Sequence, residues 1–451
     1  MKFRIYLHKL TYLWWLLLLG SCTVDSELFD VTVTAEDLEL KEQLIDLSGS
    51  LDYYILPESD DFANIPADPN NPLTAEKVLL GKLLFHETGL ATNPKIETNK
   101  GTYSCSTCHN SSAGFQSGLK QGIGDGGSGF GLFGEARILA ADYNFETADV
   151  QPIKQPTNLN VAYQKVMLWN GQFGATGSNL GTEANWTTDT PKEINKLGFE
   201  GVESQAIAGL TVHRMGISKE FCDESGYTYL FDQAFPEIPK ADRYSLQTSG
   251  LAIAAYERTL LASQSNFQKW LRGTSNAMTA DEKKGAALFF GKAKCYECHN
   301  GPALNSEEFH ALGMNDLLEP AVPIIIDDDT KKGRGGFTQN PNDDFKFKVP
   351  QLYNLKDFEF FGHGGSFQSV KEVIAYKNNA IKENFGVRDT QLADKFIPLN
   401  LNLDEIEQLT QFLENSLKDN NLQRYDPAGL PTEKCFPNAD RQSMEDLNCD
   451  N

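Results

Sequence analysis

Basic residues are scarce in this 451-residue chain: 40 lysines and arginines stand against 62 aspartates and glutamates, a formal net charge of −22. A surface of that sign repels phosphate backbones and anionic lipid head groups, which argues against a nucleic-acid role and favours basic protein partners. Long apolar runs are missing too. The run from Tyr12 to Leu19 is shorter than the ~20 residues a bilayer requires, so a multispanning membrane protein is excluded. Strand signals are few. With 40 % hydrophobic and 11 % aromatic residues, the chain has an ordinary globular composition and enough length for two or three domains. The class expected is mainly α.

The short apolar run follows Lys2, Arg4 and Lys9 and ends in Gly20-Ser21-Cys22, the arrangement of an export signal. Leu19-Gly20-Ser21-Cys22 resembles a bacterial lipobox. That implies a lipoprotein signal at residues 1–21, lipidation of Cys22, and a mature chain in the cell envelope, on the periplasmic side or at the cell surface. A plain secretory signal with an incidental cysteine stays open. Of eight cysteines, Cys22 belongs to the signal and Cys105, Cys108, Cys295 and Cys298 to motifs treated below, leaving Cys222, Cys435 and Cys449. A Cys435/Cys449 bridge suits an oxidising compartment, although three leftover thiols allow other pairings.

Residues 22–72 read as a tether and a helical segment with Leu38, Leu40, Leu44 and Leu47 near helical spacing. The chain then repeats itself. Leu73-Thr74-Ala75-Glu76 leads into Gly81-Lys82-Leu83-Leu84-Phe85, and Met278-Thr279-Ala280-Asp281-Glu282 leads into Gly285-Ala286-Ala287-Leu288-Phe289. Each copy has a capping threonine, acidic residues in the first turn and G-x-x-L-F before a C-x-x-C-H. Two tandem domains, 73–272 and 273–418, follow as the simplest organisation. The first contains a Gly-rich loop from Gly122 through Gly134 and a closing helix expected over about Ser245 to Gln264. The second closes with a helix capped by Asn402 and Glu405, with Ile406, Leu409, Leu413 and Leu417 as its apolar stripe. Residues 419–451 read as a polar tail.

C-x-x-C-H occurs as Cys105-Ser106-Thr107-Cys108-His109 and as Cys295-Tyr296-Glu297-Cys298-His299. Two thiols one turn apart suit the two vinyl groups of haem, and the adjacent histidine reaches the iron from the same side. A zinc site would want further Cys or His ligands at matching spacing, and a dithiol redox pair has no need of the histidine. Two covalently bound haem c groups are therefore expected, with His109 and His299 as proximal ligands.

The chain resembles the bacterial di-haem cytochrome c peroxidases and their relative MauG over roughly Leu73 to Leu417. The segments that carry the likeness are LGKLLF, PTNLNVAYQKVMLWNG (Pro156 to Gly171), GAALFFGKAKCYECHNGP (Gly285 to Pro302), FHALGM (Phe309 to Met314), GRGGFT (Gly333 to Thr338), FKVPQLYNL (Phe347 to Leu355) and HGGSF (His363 to Phe367). The resemblance implies two cytochrome c-like domains, peroxide reduction at the N-terminal haem, and electrons from a small cytochrome or cupredoxin. It also implies Trp169 as a relay between haems, or a tryptophan packed between domains, and Arg334 and Lys348 beside the propionates of the second haem. The oligomeric state stays open, a homodimer included.

Departures from the family pattern matter as much. The usual distal histidine of the first haem falls on Asp125, in Gly122-Ile123-Gly124-Asp125-Gly126, a poor haem ligand that implies an open site; a plain turn-forming role is the alternative. The family's glutamate downstream of Gln-Ala is missing after Gln205-Ala206. His213 as acid and base with Arg214 as charge stabiliser would replace it, or His213 would ligate the iron. At the second haem the usual methionine or tyrosine falls on Lys377, with Tyr376 beside it and favoured. His310 and His363 are expected to order that haem's surroundings, and Lys154, where an asparagine is usual, makes calcium doubtful. The readings that remain are a peroxidase, a MauG-type oxidase acting on tyrosine or tryptophan of a partner protein, and a haem electron-transfer module.

Overall fold

A computed structural model describes residues 33–449. The expected signal segment and Cys22 lie outside the described residues. The helices that place the two motifs are α1 (Ala35–Ser48), α2 (Ala75–His86), α3 (Gly201–Val212), α4 (Leu246–Arg258), α5 (Ala280–Phe289), α6 (Val370–Asn379), α7 (Leu403–Gln411) and α8 (Arg441–Asp446). Strand among the described residues amounts to two antiparallel pairs of two residues each. β1 (Gly127–Ser128) pairs with β2 (Ile138–Leu139), Gly127 opposite Leu139, and β3 (Phe309–His310) pairs with β4 (Phe347–Lys348), Phe309 opposite Lys348. The class is mainly α.

Both copies of the sequence repeat start alike. Thr74 accepts from the Lys77 amide at the head of α2, and Thr279 forms a full capping box with Glu282 at the head of α5. Each G-x-x-L-F then places its glycine where the helix crosses a later one. A Cβ at Gly81 would lie 1.8 Å from the Ala252 carbonyl oxygen of α4, and one at Gly285 would lie 2.0 Å from the Gln408 carbonyl oxygen of α7. The repeat therefore encodes two close helix crossings, α2 on α4 and α5 on α7, each leading into a C-x-x-C-H turn. One apolar core runs through both, from Leu84, Phe85 and Tyr256 to Trp270, Phe289 and Phe412.

α7 follows its sequence pattern. The Asn402/Glu405 capping box forms, Ile406, Leu409, Leu413 and Leu417 are buried, and the helix runs on into a π-helical turn, Phe412–Ser416. α4 is shorter than expected and stops at Arg258 instead of Gln264. The Leu261 and Ala262 amides donate to the Tyr425 hydroxyl (3.0 Å) and to Asn160 Oδ1 (3.0 Å), tertiary partners that replace continued helical bonds. In α1, Leu40 and Leu44 are buried while Leu38 and Leu47 are exposed. What anchors this helix is polar: buried Asp37 bonds Lys283 Nζ (2.7 Å) and Trp270 Nε1 (2.6 Å). Burial works against the Asp37 carboxylate, but these donors outweigh it and hold its pKa at about 2.

The segment read as a polar tail is folded onto the first copy. Leu422, Tyr425 and Leu430 are buried, and Cys435 and Cys449 form a disulfide with Cα atoms 5.9 Å apart. The carboxylates of this strap serve backbone amides. Asp446 Oδ2 accepts from Phe130 (2.8 Å) and Gly131 (3.0 Å), and Asp440 accepts from Gly129 (3.0 Å) and Ser128 Oγ (3.1 Å). Composition alone cannot register such partners. No helix among the described residues is long and apolar enough to cross a membrane.

Candidate functional site

Each motif closes as a single 3₁₀ turn, Cys105–Thr107 and Cys295–Glu297, with the histidine amide donating back to the first cysteine carbonyl at 3.1 Å and 2.9 Å. His109 Nδ1 lies 3.1 Å from the Phe115 carbonyl oxygen; His299 Nδ1 lies 3.1 Å from that of Leu304 and 3.0 Å from that of Pro350. A carbonyl can only accept, so Nδ1 carries the proton in both rings and Nε2 keeps its lone pair. Burial pushes both imidazole pKa values down to about 4, so both are neutral at pH 7. The four motif thiols are unbridged, unlike Cys435 and Cys449, and burial pushes Cys105, Cys108 and Cys295 up to about 12. Neutral histidines with a free Nε2 beside unbridged thiols suit haem attachment and ligation.

A cavity of about 690 Å³ opens against the second turn, walled by Cys295, Cys298 and His299 and by Trp169, Lys348 and Lys377. That volume falls within the roughly 300–1,000 Å³ usual for small-molecule and cofactor sites. His363 Nε2 is buried in its wall without a hydrogen-bond partner among the described residues, its ring stacked on Phe347 at 3.6 Å. Around the first turn, Gln116 Oε1, Gln155 Nε2 and Gln205 Oε1 are likewise buried and unpartnered. Orphaned polar atoms beside a C-x-x-C-H turn call for a polar ligand group or water. The residues present therefore fit c-type haem at both turns.

At the first turn α3 brings two of the expected residues onto one face. A Cβ at Gly209 would lie 3.9 Å from both Gln205 Nε2 and His213 Cδ2, so the glycine leaves open space between the amide and the imidazole. His213 Nδ1 is 2.7 Å from Asp149 Oδ2, its side chain is 40 % exposed, and Nε2 has no partner among the described residues. Burial disfavours the imidazolium, but the Asp149 carboxylate outweighs it and raises the His213 pKa. His213 is close enough to His109 to help keep that ring neutral. Asp149, which carried no sequence signal, sits against Gly124 of the Gly-rich loop.

Asp125 is fully buried and receives four donors: the Lys95 amide (2.8 Å), Asn99 Nδ2 (2.8 Å), Tyr143 Oη (2.5 Å) and Arg214 Nη1 (2.5 Å). Against the burial penalty these donors lower its pKa. Arg214, expected as a charge stabiliser, instead spends Nη1 on Asp125 and on the Thr147 carbonyl (2.7 Å). It pins the loop that carries Asp149. Behind His109, the Asn158 amide also donates to the Phe115 carbonyl, and Asn158 Nδ2 lies 2.6 Å from Glu257, whose buried carboxyl is pushed up to about 8 by burial.

Between the turns, Trp169 Nε1 donates to the Lys154 carbonyl (2.7 Å) and its ring lies edge-on to His363 at 6.4 Å. Lys154 is buried in the same cavity wall, and burial pushes its pKa down to about 7. An amine there opposes a second cation. Lys348 Nζ donates to Gln164 and to the Val166 carbonyl (2.6 Å) at the cavity wall. Arg334 has a different task from the one expected. Its guanidinium binds the Asn170, Gly171 and Ser178 carbonyls and Asn179 Oδ1, clamping the loop after Trp169. Tyr376 is corrected as well: its hydroxyl donates to the Leu312 carbonyl at 2.5 Å and its ring packs on Phe367 and Phe396. Lys377 and Met314 line the cavity instead. His310 lies 2.8 Å from Glu308 and 3.5 Å from Cys298 Sγ.

The fold is mainly helical, and its two C-x-x-C-H turns have the residues that c-type haem would need. A family profile described as di-haem cytochrome c peroxidase matches residues 75–276, and the relatives the chain resembles include proteins named MauG and cytochrome c peroxidase. It is 29 % identical to the methylamine utilization protein MauG of Methylorubrum extorquens, over 78 % of this chain and 81 % of that protein. It is 28 % identical to the cytochrome-c peroxidase IdrP1 of Denitromonas iodatirespirans, over 78 % and 84 %. The crystal structure of a MauG-like protein associated with microbial copper homeostasis matches with a TM-score of 0.56 at 22 % identity, over 81 % of this chain and 95 % of that one, which establishes likeness of fold.

Proposed function

We propose that the chain is a di-haem cytochrome c peroxidase that reduces hydrogen peroxide to water: one peroxide, two electrons and two protons give two waters. In this reading residues 73–272 and 273–418 are tandem cytochrome c-like domains. Cys105, Cys108 and His109 hold one haem, and Cys295, Cys298 and His299 hold the other. When bound, the haem at His109 supplies an iron that can take up a peroxide oxygen and exchange electrons with the second haem.

The observation that carries the reading is the His213–Asp149 pair. Cleaving peroxide requires a proton to move from one oxygen to the other so that water can leave. Asp149 holds the Nδ1–H, which leaves His213 Nε2 as the atom that takes this proton and returns it. Gln205, on the same face of α3, offers its amide to the same oxygen. Asp125 is tied down by four donors and cannot swing in to block the site. Trp169, whose Nε1 donates to the Lys154 carbonyl in the wall of the second cavity, is the side chain that would pass an electron between the haems in this reading. The net charge of −22 favours a small basic cytochrome or cupredoxin as donor. Export and lipid anchoring at Cys22 belong to this reading, and the Cys435–Cys449 disulfide supports the export.

A MauG-type oxidase is the second reading. It is supported by the immobilised Asp125 and by Lys377, where methionine is usual in the peroxidases. Optical and EPR spectra of the isolated protein, followed by one equivalent of hydrogen peroxide without donor, test both. Rapid peroxide consumption with a spectral change, reversed by two electrons from a reduced cytochrome, supports the peroxidase. Oxidation retained until a partner protein gains mass supports the MauG-type enzyme. A protein that ignores peroxide, even when half reduced, would be an electron carrier, and both enzyme readings would fall.

A further inference from the structure

α6 presents its residues to the second cavity with helical periodicity. Val370, Val373, Ile374 and Lys377, at i, i+3, i+4 and i+7, all line it, whereas Tyr376 is turned about 100° away into the Phe367/Phe396 cluster. The stripe is aliphatic except for its last member. Lys377 Nζ forms no hydrogen bond or ion pair with a described residue; its one specific contact is with the Phe396 ring, whose centroid is 5.5 Å away. The cavity it faces is also the one walled by Cys295, Cys298 and His299. An ammonium without an anion is costly on such a wall, whereas the lone pair of a neutral amine is a ligand.

From this placement we propose that Lys377 supplies the second axial ligand, opposite His299, to the iron of the haem held at Cys295 and Cys298. The assignment rests on the reading above that a haem is bound there. Of the other candidate donors, Tyr376 and Met314 are engaged elsewhere, and His363, whose Nε2 has no hydrogen-bond partner among the described residues, is the rival that the variants below separate from Lys377. The Tyr376 hydroxyl is satisfied by Leu312. His363 is stacked on Phe347, and its Nε2 stands 3.5 Å from an Asp316 carboxylate oxygen. Met314 packs with the Phe367/Tyr376/Phe396 cluster, its sulfur against Gly362, where a Cβ would come within 3.3 Å of it. An amine favours ferric iron more than the thioether of the usual methionine does, so this haem would be harder to reduce than a His/Met haem.

The test uses the full-length protein in its resting ferric state, with haem counted by intact mass and with no peroxide present. EPR and near-infrared magnetic circular dichroism should show one low-spin haem with two nitrogen ligands. In K377A that haem should turn high-spin, and added methylamine should restore the low-spin signal. K377M, which keeps the stem length, should replace the amine signature with that of a thioether and raise the potential. Survival of the low-spin signal in K377A would overturn the assignment. So would its loss in M314L, H363A or Y376F instead, which would name the true ligand. A chain carrying a single haem would remove the reading on which the assignment rests and the assignment with it. Peroxide reactivity is read separately at the His109 turn, so a failure there leaves this result standing.

Discussion

At the first turn His109 gives its Nδ1–H to the Phe115 carbonyl, which an amide backed by the buried Glu257 also contacts; at the second, His299 shares its Nδ1–H between the Leu304 and Pro350 carbonyls. Opposite the first stand Gln205, His213 and Asp149; beside the second stands an aliphatic stripe ending in Lys377. The two turns share a frame of paired glycine crossings and capped helices. The helices named with each turn differ. α3 offers proton-handling groups around a space kept open by glycine, and α6 offers a single amine.

The largest test of that division removes one attachment pair at a time. C105A/C108A and C295A/C298A should each lower the haem count by one, but only the first should abolish the reaction with peroxide, as read by intact mass and rapid-mixing spectroscopy. Next in size, H213A should slow peroxide consumption by about 10²-fold or more, the usual scale of general acid–base catalysis, and leave the low-spin spectrum unchanged. Unequal frames would show in G81A and G285A. Each forces a methyl group against a carbonyl and should cost about 2–3 kcal/mol by denaturant unfolding, and a large difference between them would break the equivalence of the two crossings.

Smaller again is D37N, which tests the anchor of α1 on the second copy. Folding lowers the Asp37 pKa from 3.8 to about 2, so its contribution, up to about 2 kcal/mol, is fully present above pH 3.8 and is lost as pH falls through about 2. The variant should lose stability at pH 7 and flatten that acid slope. Smallest of all, D446A should cost about 1 kcal/mol and speed hydrogen exchange at the Phe130 and Gly131 amides without reaching the second turn.

Much of this frame can be read in the chain before any coordinates, because caps, repeated glycines and C-x-x-C-H are local signals with local causes. Asn402, Glu405 and the stripe from Ile406 to Leu417 specify α7 almost residue by residue. What escapes are partners brought in from far away. Asp149 matters because the Gly-rich loop carries it to His213, and α4 ends early because Tyr425 and Asn160 capture its next amides. Tyr376 and Lys377 are a different case. They differ by one position, and chemistry favours the phenol, but Val370, Val373 and Ile374 already put the lysine on the apolar face and the tyrosine off it.

The strap over the first turn has a consequence in time. Ser104 Oγ and Thr107 Oγ1 both donate to the Pro437 carbonyl, at 2.9 Å and 3.2 Å, across 333 and 330 positions of chain. His299, by contrast, rests on carbonyls 5 and 51 positions downstream. When the first motif is synthesised, the residue that Ser104 and Thr107 will bond has not yet been made, whereas the carbonyls that receive the His299 Nδ1–H follow within 51 positions.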